Sequence, residues 1–338
     1  MVNSSDFQKA VDSINKSSNV LITTHTKPDG DACGSAAAMY ETLTRLGKKC
    51  KLLFPSPVPA WYEFLFTEKP QVIADDTAAE KPKLEGAGEV DLIVVVDTNT
   101  YKQLPGIETF LKDNDKPTLV IDHHATGQSI GDVELTDSSA AAAGLIVLDL
   151  LKFADWPVTK KIANALFVAV ATDTGWFHFS NTNSRVYEAC AELITAGASP
   201  TSLYRQLYQN FSQERFRLMV SMLSTIEFFL NGRYAAQQLT QKDFEHTGAG
   251  HEDTENLIDQ CQRVSSVEAA ALFVELKDGR IRCSLRSRNT IDVCKIAQQF
   301  GGGGHKMAAG TYLNGPLEEA KKQVFEAFKE QFEQLDGK

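Results

Sequence analysis

The sequence lacks the cysteine pairs that mark a metal knuckle or a disulfide-bonded framework. Its six cysteines are scattered over 338 residues, and none of them forms a C-x-x-C pair. Closely spaced cysteines are the usual sign of a structural zinc site or of a small secreted scaffold. The scattered cysteines therefore predict buried or bystander thiols in a reducing compartment, and we expect the protein in the cytoplasm.

Long hydrophobic runs and an excess of positive charge are missing as well. No apolar run approaches the roughly 18–20 residues that cross a bilayer, and the polar start of the chain lacks the apolar core of a signal peptide. Lys and Arg number 34 against 44 Asp and Glu, so the formal net charge is −10. Proteins that bind long duplexes usually present a basic face. The composition therefore predicts neither a membrane partner nor a long nucleic-acid duplex.

Strand-like and helix-like segments alternate through the first half of the chain. Short apolar, β-branched runs predict strands at residues 19–24, 49–54, 90–96 and 118–121. Segments rich in helix formers predict helices at residues 35–46, 140–152 and 159–171. This alternation predicts an α/β domain with a doubly wound parallel sheet that is covered by helices on both faces.

The second half of the chain follows a different pattern. Helices are predicted at residues 183–196, 201–230, 291–300 and 316–335, and strands at 233–239, 267–276 and 280–285. We therefore predict three parts: a metal-binding catalytic domain of residues 1–190, a helical connector of residues 191–230, and a smaller mixed α/β domain of residues 231–338.

Polar side chains follow the apolar runs of the first half at four places. The chain reads HTKPDGDA after the first run, DTN after the third, DHH after the fourth, and TDTG after the run that ends in Ala171. The carboxyl ends of parallel strands lie along one edge of a sheet, where ligands bind, so these distant segments can converge. Because Pro28 and Gly30 oppose helix formation, we expect residues 25–31 to form a tight loop.

The residue types at these four places indicate divalent metal ions. Carboxylates mixed with imidazoles suit Mn²⁺ or Mg²⁺, and a pair of such ions can activate water and bind both oxygens of a phosphoester under attack. A single Asp-x-Asp or His-His pair is more often a turn, a cap or a packed feature, so the prediction depends on the combination. The candidate ligands are His25, Asp29, Asp31, Asp97, His123 and Asp173.

The same segments resemble the successive motifs of the DHH phosphoesterase superfamily, which includes RecJ exonucleases and family II pyrophosphatases. The resemblance lies in residues 25–32, 96–98, 122–124 and 172–175. Arg286-Ser287 and the glycine run before His305 resemble the DHH-associated C-terminal domain. The order of motifs and the length are similar to those of stand-alone nanoRNases, which also act as 3′-phosphoadenosine-5′-phosphate phosphatases.

The resemblance implies a role for each candidate residue. One ion would be held by His25, Asp29 and Asp97, and the other by Asp31, Asp97, His123 and Asp173, with Asp97 between them. As catalytic groups, Asp122 would orient the histidine pair and His124 would face the scissile phosphate. The alternative for His124 is a hydrogen-bonded histidine of the core.

The second domain offers candidate substrate-binding residues. Gly301, Gly302, Gly303 and Gly304 can present successive N–H groups to an anion, although a helix end with a flexible turn is the alternative. His305 follows this run, and Arg286 resembles the family's phosphate-binding arginine, whose fork suits phosphate oxygens. In the first domain, Arg185 either contacts substrate or lies on a helix surface, and we expect His178 to pack among aromatic residues.

The leading hypothesis is hydrolysis of a phosphoester in a small nucleotide that binds in a cleft between the domains. The substrates considered are short single-stranded RNA, a linear dinucleotide, and the 3′-phosphate of an adenosine bisphosphate. Two divalent ions are expected, with Mn²⁺ preferred over Mg²⁺. Hydrolysis of polyphosphate or pyrophosphate at the same site is one alternative, and a non-catalytic nucleotide-binding regulator is another. A homodimer is left open.

Overall fold

Apolar, β-branched runs form the strands of a parallel sheet in the first part of the chain. The computed structural model describes residues 2–73, 90–113, 116–125, 127–288 and 290–337. The chain divides into two units, Met1–Gln209 and Asn210–Lys338. This division lies within residues 191–230, the range that the sequence analysis assigned to a helical connector.

The sheet of the first unit has a point at which its strand order reverses. Its strands are β1 (Asn19–Thr23), β2 (Lys49–Phe54), β3 (Gln71–Val72), β4 (Leu92–Val96), β5 (Thr118–Asp122) and β6 (Val133–Thr136). They follow the order β3-β2-β1-β4-β5-β6, and every neighbouring pair is parallel. The order reverses between β1 and β4. In open α/β sheets, ligands bind beyond the carboxyl ends of the strands at such a point.

Helices cover both faces of this sheet. They are α1 (Ser4–Lys16), α2 (Gly30–Arg45), α3 (Glu108–Asp113), α4 (Ala143–Phe153), α5 (Lys160–Asp173), α6 (Ser184–Thr195) and α7 (Pro200–Tyr208). Short 3₁₀ helices lie at Ala60–Leu65 and Tyr101–Gln103. Along β4, Val94 packs into the core with α2, α4 and α5, whereas Ile93 and Val95 pack with Leu111 of α3. The predicted doubly wound α/β architecture is therefore confirmed.

The second unit contains a mixed sheet. Its strands are β7 (Glu227–Phe229), β8 (Tyr234–Leu239), β9 (Ala269–Glu275), β10 (Ile281–Ser287), β11 (Gly303–His305) and β12 (Ala308–Leu313). They follow the order β11-β12-β10-β9-β8-β7, in which only the β8–β9 pair is parallel among the described strands. The predicted mixed α/β character of this part is confirmed.

Two apolar clusters hold the helices of the second unit against its sheet. The helices are α8 (Gln213–Ser224), α9 (Gln241–Thr247), α10 (Val293–Gln299) and α11 (Leu317–Asp336), with 3₁₀ helices at His251–Thr254 and Leu257–Arg263. Side chains of β10 alternate between the faces: Ile281, Cys283 and Leu285 are buried with α10 and α11. Arg282 and Arg286 project from the opposite face.

Two predicted elements were wrong in ways that concern the site and the division of the chain. Helix α2 begins at Gly30, not at residue 35, because the Asp29 side chain accepts hydrogen bonds from the N–H groups of Asp31 and Ala32. An N-cap of this kind outweighs the low helix propensity of one glycine. The single helix predicted at 201–230 is instead α7 and α8, followed by strand β7.

Over the part of the chain that the structure describes, no helix combines the length and the apolar character needed to cross a bilayer.

Candidate metal centre

The candidate ligands meet at the carboxyl edge of the first sheet. His25 lies two residues beyond β1, Asp97 directly follows β4, and His123 directly follows β5. Asp29 and Asp31 come from the N-terminus of α2. These three strands neighbour one another across the reversal of strand order, and the predicted convergence of their ends follows from that topology.

Asp173 reaches the same place from a different kind of element. Its segment was grouped with the ends of strands, although a helix was predicted for residues 159–171; Asp173 is the last residue of helix α5. Its Oδ2 lies 3.6 Å from Nε2 of His123. Helix α5 packs against α2, where a Cβ on Gly34 would overlap the carbonyl oxygen of Ala165. The glycine therefore permits the close helix pairing that lies next to this edge of the sheet.

The carboxylate of Asp97 lies between two histidines. Its Oδ2 is 3.4 Å from Nε2 of His25, and its Oδ1 is 3.4 Å from Nε2 of His123. Nε2 of His25 also lies 3.9 Å from Oδ1 of Asp29, and Nε2 of His123 lies 3.7 Å from Oδ2 of Asp31. Among the described residues, three groups have potential metal-ligating atoms within 4.8 Å of one another: His25, Asp29 and Asp97; Asp31, His123 and Asp173; Asp97, His123 and His124.

The Nε2 atoms of both histidines, which can bind a metal ion, point into this cluster. Nδ1 of His25 lies 2.9 Å from the carbonyl oxygen of Thr26, and Nδ1 of His123 lies 3.3 Å from that of Ala140. A carbonyl oxygen only accepts, so each Nδ1 carries the proton of that hydrogen bond. This arrangement, common around protein-bound metals, leaves Nε2 as the ligating atom.

The buried carboxylates of the centre lack enough positive charge. Asp97 is 2% exposed, and its Oδ1 has no hydrogen-bond partner among the described residues. Burial raises the pKa of Asp31, and the charge of Asp97 raises it further. Burial also raises the pKa of Asp173 to about 6. Burying several carboxylates close together is costly unless positive charge compensates them, and a divalent cation would supply such charge.

The histidines respond to the same imbalance in the opposite direction. Burial acts to lower the pKa of His25 and of His123, but the neighbouring carboxylates outweigh it. Asp97, Asp29 and the carbonyl of Thr26 raise the pKa of His25 to about 9. Asp97, together with nearby aspartates, raises the pKa of His123 to about 10. Protons on His25 and His123 thus compensate part of the negative charge of the carboxylates, which metal ions would otherwise compensate.

The Asp122 carboxylate orients one histidine of the DHH segment rather than both. Its Oδ1 lies 2.7 Å from Nδ1 of His124, whereas His123 contacts the Ala140 carbonyl instead. The side chain of His124 is 46% exposed, so the alternative of a buried core histidine is wrong. The hydrogen bond to Asp122 raises the pKa of His124 above its ordinary value, although partial burial opposes this.

The glycine run in the second unit has two structural roles. Gly301, with a φ of +74°, and Gly302 donate hydrogen bonds to the last carbonyls of α10, as the helix-end alternative predicted. Gly303 and Gly304 belong to β11 and pair with β12. A Cβ on Gly303 would meet open space, whereas one on Gly304 would lie 2.5 Å from the Ala308 carbonyl oxygen. The four glycines therefore do not form one continuous concavity.

Arg286 lines a pocket on the open face of the second sheet. The pocket has a volume of about 350 Å³ and also includes His251, Arg282 and Ser284. Nε of Arg286 lies 3.1 Å from Oδ1 of Asp259, so its charge is already partly compensated. Only the backbone of His305 belongs to the described part of the structure, and its predicted contact with substrate stays a prediction.

Two other residues of the first unit were considered from the sequence. Arg185 is partly exposed on helix α6, in line with the helix-surface alternative, and it donates to Asp137 at 2.8 Å and to Asp149 at 2.7 Å, so its guanidinium is already paired. His178 is exposed, and its ring contacts only that of Phe179 among the described aromatic rings, with centroids 4.7 Å apart and a tilt of 60°, so it is less packed than expected.

Comparisons with known proteins agree with this geometry. A family model described as the DHH family, N-terminal domain, matches residues 19–170, and a model of the DHHA1 domain matches residues 231–334. A similar protein from Thermus thermophilus, named bifunctional oligoribonuclease and PAP phosphatase NrnA, is 32% identical over 316 residues, covering 92% of this chain and 90% of the relative. The chain belongs to the DHH family of phosphoesterases. The resemblance found in the sequence is thereby confirmed.

Two further proteins extend the comparison. The protein of the same name from Bacillus subtilis is 27% identical, covering 87% of this chain and 89% of the relative. The crystal structure of an exopolyphosphatase-related protein from Bacteroides fragilis matches with a TM-score of 0.87 and 24% identity, covering 100% of this chain and 99% of that one. At that identity the match shows the DHH fold and leaves the choice of substrate open.

Proposed function

We propose that this DHH phosphoesterase hydrolyses short oligoribonucleotides, linear dinucleotides and 3′-phosphoadenosine-5′-phosphate with two Mn²⁺ ions. The observation that carries the proposal is the Asp97 carboxylate, each of whose oxygens lies 3.4 Å from a different histidine Nε2. The substrate class is supported by the two relatives named oligoribonuclease and PAP phosphatase, which align with most of the chain.

The residues of the centre divide into two proposed ligand sets around Asp97. His25, Asp29 and Asp97 would hold one ion, and Asp31, Asp97, His123 and Asp173 would hold the other. Bound divalent ions would supply positive charge to the attacked phosphate and lower the pKa of water at the site. Two features fit this role: the buried Oδ1 of Asp97 accepts no hydrogen bond from the described residues, and the Nε2 atoms of both histidines point into the cluster.

His124 is proposed to act on the substrate rather than on a metal ion. Asp122 accepts the Nδ1 proton of His124, and this bond favours the charged imidazolium because it raises the pKa. The half-exposed ring then has an Nε2–H group with which it can donate to an oxygen of the scissile phosphate. Asp122 keeps the ring in that orientation, because its own carboxylate is fully buried.

The second unit is proposed to bind the part of the substrate that does not react. Arg286, Gly301, Gly302, Gly303, Gly304 and His305 are the residues assigned to this role. Gly303 supports it because the space above it is open, and Arg286 because it lines a pocket with a second arginine. We also propose a cytoplasmic location, since all six cysteines are free thiols, as in reducing compartments.

A substrate panel tests the proposed activity. We expect Mn²⁺-dependent release of mononucleotides from linear dinucleotides and short RNA, and release of phosphate from 3′-phosphoadenosine-5′-phosphate. Pyrophosphate and polyphosphate should be hydrolysed more slowly. Faster turnover of pyrophosphate than of any nucleotide would contradict the proposal, and so would activity that persists in EDTA.

A pair of arginine variants tests the role of the second unit. Arg286→Gln should raise KM for the dinucleotide while kcat changes little, because the guanidinium binds substrate away from the reacting atoms. The control is Arg280→Gln, which removes an exposed arginine that pairs with Asp278 at the start of the same strand. An unchanged KM in Arg286→Gln, or an equal rise in both variants, would remove Arg286 from the binding site.

A further inference from the structure

Backbone groups of residues 137–144 hold two candidate ligands of one ion. This segment connects β6 to α4. The N–H groups of Ala143 and Gly144 donate to Asp31 at 2.5 and 2.9 Å, so the carboxylate caps the N-terminus of α4. The carbonyl oxygen of Ala140 faces Nδ1 of His123. Asp31 and His123 therefore depend on the path of this segment.

The third member of the same group is linked to the segment through a side chain. Nδ2 of Asn181 lies 3.3 Å from the carbonyl oxygen of Ala141 and 3.1 Å from that of Asp173. The segment thus contacts Asp31 and His123 directly and Asp173 indirectly. The other ion's ligands are held by their own surroundings, since His25 bonds to Thr26 and Asp29 caps helix α2.

Asp137 fixes the segment at its start. Its N–H donates to the Asp122 carbonyl at 3.1 Å, and its own carbonyl accepts from the Ala140 N–H at 3.0 Å. Its Oδ1 accepts from the N–H and the hydroxyl of Ser139. The side chain of Asp137 is 1% exposed, and Nη1 of Arg185 donates to its Oδ2 at 2.8 Å. Helix α6 thereby anchors the segment through one shielded ion pair.

We propose that Arg185 is a positioning residue for one of the two metal ions. Through Asp137 it holds residues 137–144, and this segment sets the relative geometry of Asp31, His123 and Asp173. The ion on the side of His25 does not depend on this ion pair. The inference rests on the proposed function, because it requires two bound ions that can be told apart.

The expected size of the effect follows from comparable sites. Replacing a residue that orients a metal ligand typically weakens metal affinity or activity by about 10- to 100-fold. We expect Arg185→Gln to weaken the binding of one Mn²⁺ by about this factor and to leave the other unchanged within about threefold. Saturating Mn²⁺ should restore most of the activity, because the reacting groups themselves are intact.

The experiment is a titration of the metal-free protein with Mn²⁺. Binding is measured by calorimetry and by the paramagnetic resonance signal of free Mn²⁺. Arg185→Gln and Asp137→Asn break the proposed link. Asp149→Asn removes the other carboxylate that Arg185 contacts but leaves the Asp137 pair intact. Lys152→Gln breaks an exposed ion pair with Glu192 that also joins α4 to α6. The last two variants are controls and should bind Mn²⁺ as the original protein does.

Distinct results separate this inference from the proposed function. Two normal binding steps in a folded Arg185→Gln variant, or an equal loss in Asp149→Asn, would overturn the positioning role alone. Failure of the original protein to bind two Mn²⁺ ions would overturn both. Arg185→Lys retains the positive charge, so we expect it to bind the affected Mn²⁺ ion more tightly than Arg185→Gln but less tightly than the original protein. If Arg185→Gln does not fold, Arg185→Lys takes its place in the titration.

Discussion

Replacing Asp97 with asparagine removes one charge from the metal centre and preserves the shape of the side chain. The backbone of Asp97 has a φ of +59°, in the left-handed region that asparagine adopts readily. The side chain is buried and lies between the imidazoles of His25 and His123. We therefore expect Asp97→Asn to fold normally in the absence of metal.

The magnitude of the effect follows from the charges of the centre. Four carboxylates, those of Asp29, Asp31, Asp97 and Asp173, belong to the groups that could hold ions, and together they would balance two divalent cations. A unit charge about 4 Å from a divalent cation contributes roughly 8 kcal/mol at an effective dielectric constant of about 20, and this is an upper limit because the amide oxygen of asparagine still offers a dipole to the ion. Since about 1.4 kcal/mol corresponds to a tenfold change, affinity for at least one Mn²⁺ should fall by more than about 10³-fold.

The assay combines a Mn²⁺ titration with hydrolysis of a linear dinucleotide. At Mn²⁺ concentrations near the dissociation constant of the original protein, the rate should fall by about the same factor as the affinity. The matched control is Asp91→Asn, which removes a carboxylate just before the opposite end of strand β4. Asp91 accepts hydrogen bonds from the N–H groups of Ser18 and Asn19. This control should lose some stability but bind Mn²⁺ normally.

One result would refute the reasoning about Asp97. If Asp97→Asn binds two Mn²⁺ ions and hydrolyses the dinucleotide within about threefold of the original protein, the carboxylate does not hold the metals. A loss of the folded state in the metal-free variant would instead show that the left-handed backbone does not tolerate asparagine here. Circular dichroism of the metal-free protein separates these two outcomes.

Two further predictions concern stability. Free Mn²⁺ at about 100 times its dissociation constant should add roughly 2.7 kcal/mol per site to the unfolding free energy of the first unit. All three tryptophans lie in that unit. Unfolding followed by their fluorescence should therefore show the added stability, and EDTA should abolish it. Burial acts to raise the pKa of Asp137, but Ser139 and Arg185 hold it below its ordinary value. Its charge therefore stabilises the fold above about pH 4, and urea denaturation should show the deficit of Asp137→Asn shrinking as the pH falls below that. A deficit that stays constant down to pH 2 would contradict this sign.

The fold of the first unit could be predicted because its strands carry their own signal. Runs such as Leu92–Val96 are apolar at every position, which is typical of strands buried on both faces of a parallel sheet. Val94 and Val95 do pack into different clusters on the two faces. The start of α2 was predicted wrongly because the side chain of Asp29 caps the helix there. From residue types alone, the nearby proline and glycine predict a loop.

The ligands of the centre could be found from the sequence, but their supports could not. Aspartate and histidine are recognisable as residue types, and the ends of parallel strands bring them together. The groups that orient them are largely backbone atoms, such as the Ala140 carbonyl and the N–H groups of Ala143 and Gly144. The sequence of a run of alanines does not indicate which of its backbone groups will contact a distant carboxylate, because every alanine has the same N–H and carbonyl groups.

The bond between Asp31 and the first turn of α4 has a consequence for how the protein acquires metal. Because this carboxylate satisfies two otherwise free amide groups, its orientation is set when the helices pack, before any ion arrives. The entropy of ordering that ligand is then lost during folding rather than during metal uptake, which favours rapid and tight loading. Lengthening the side chain by one methylene would push its oxygens past both amides, so glutamate would lose the helix cap together with the preformed ligand.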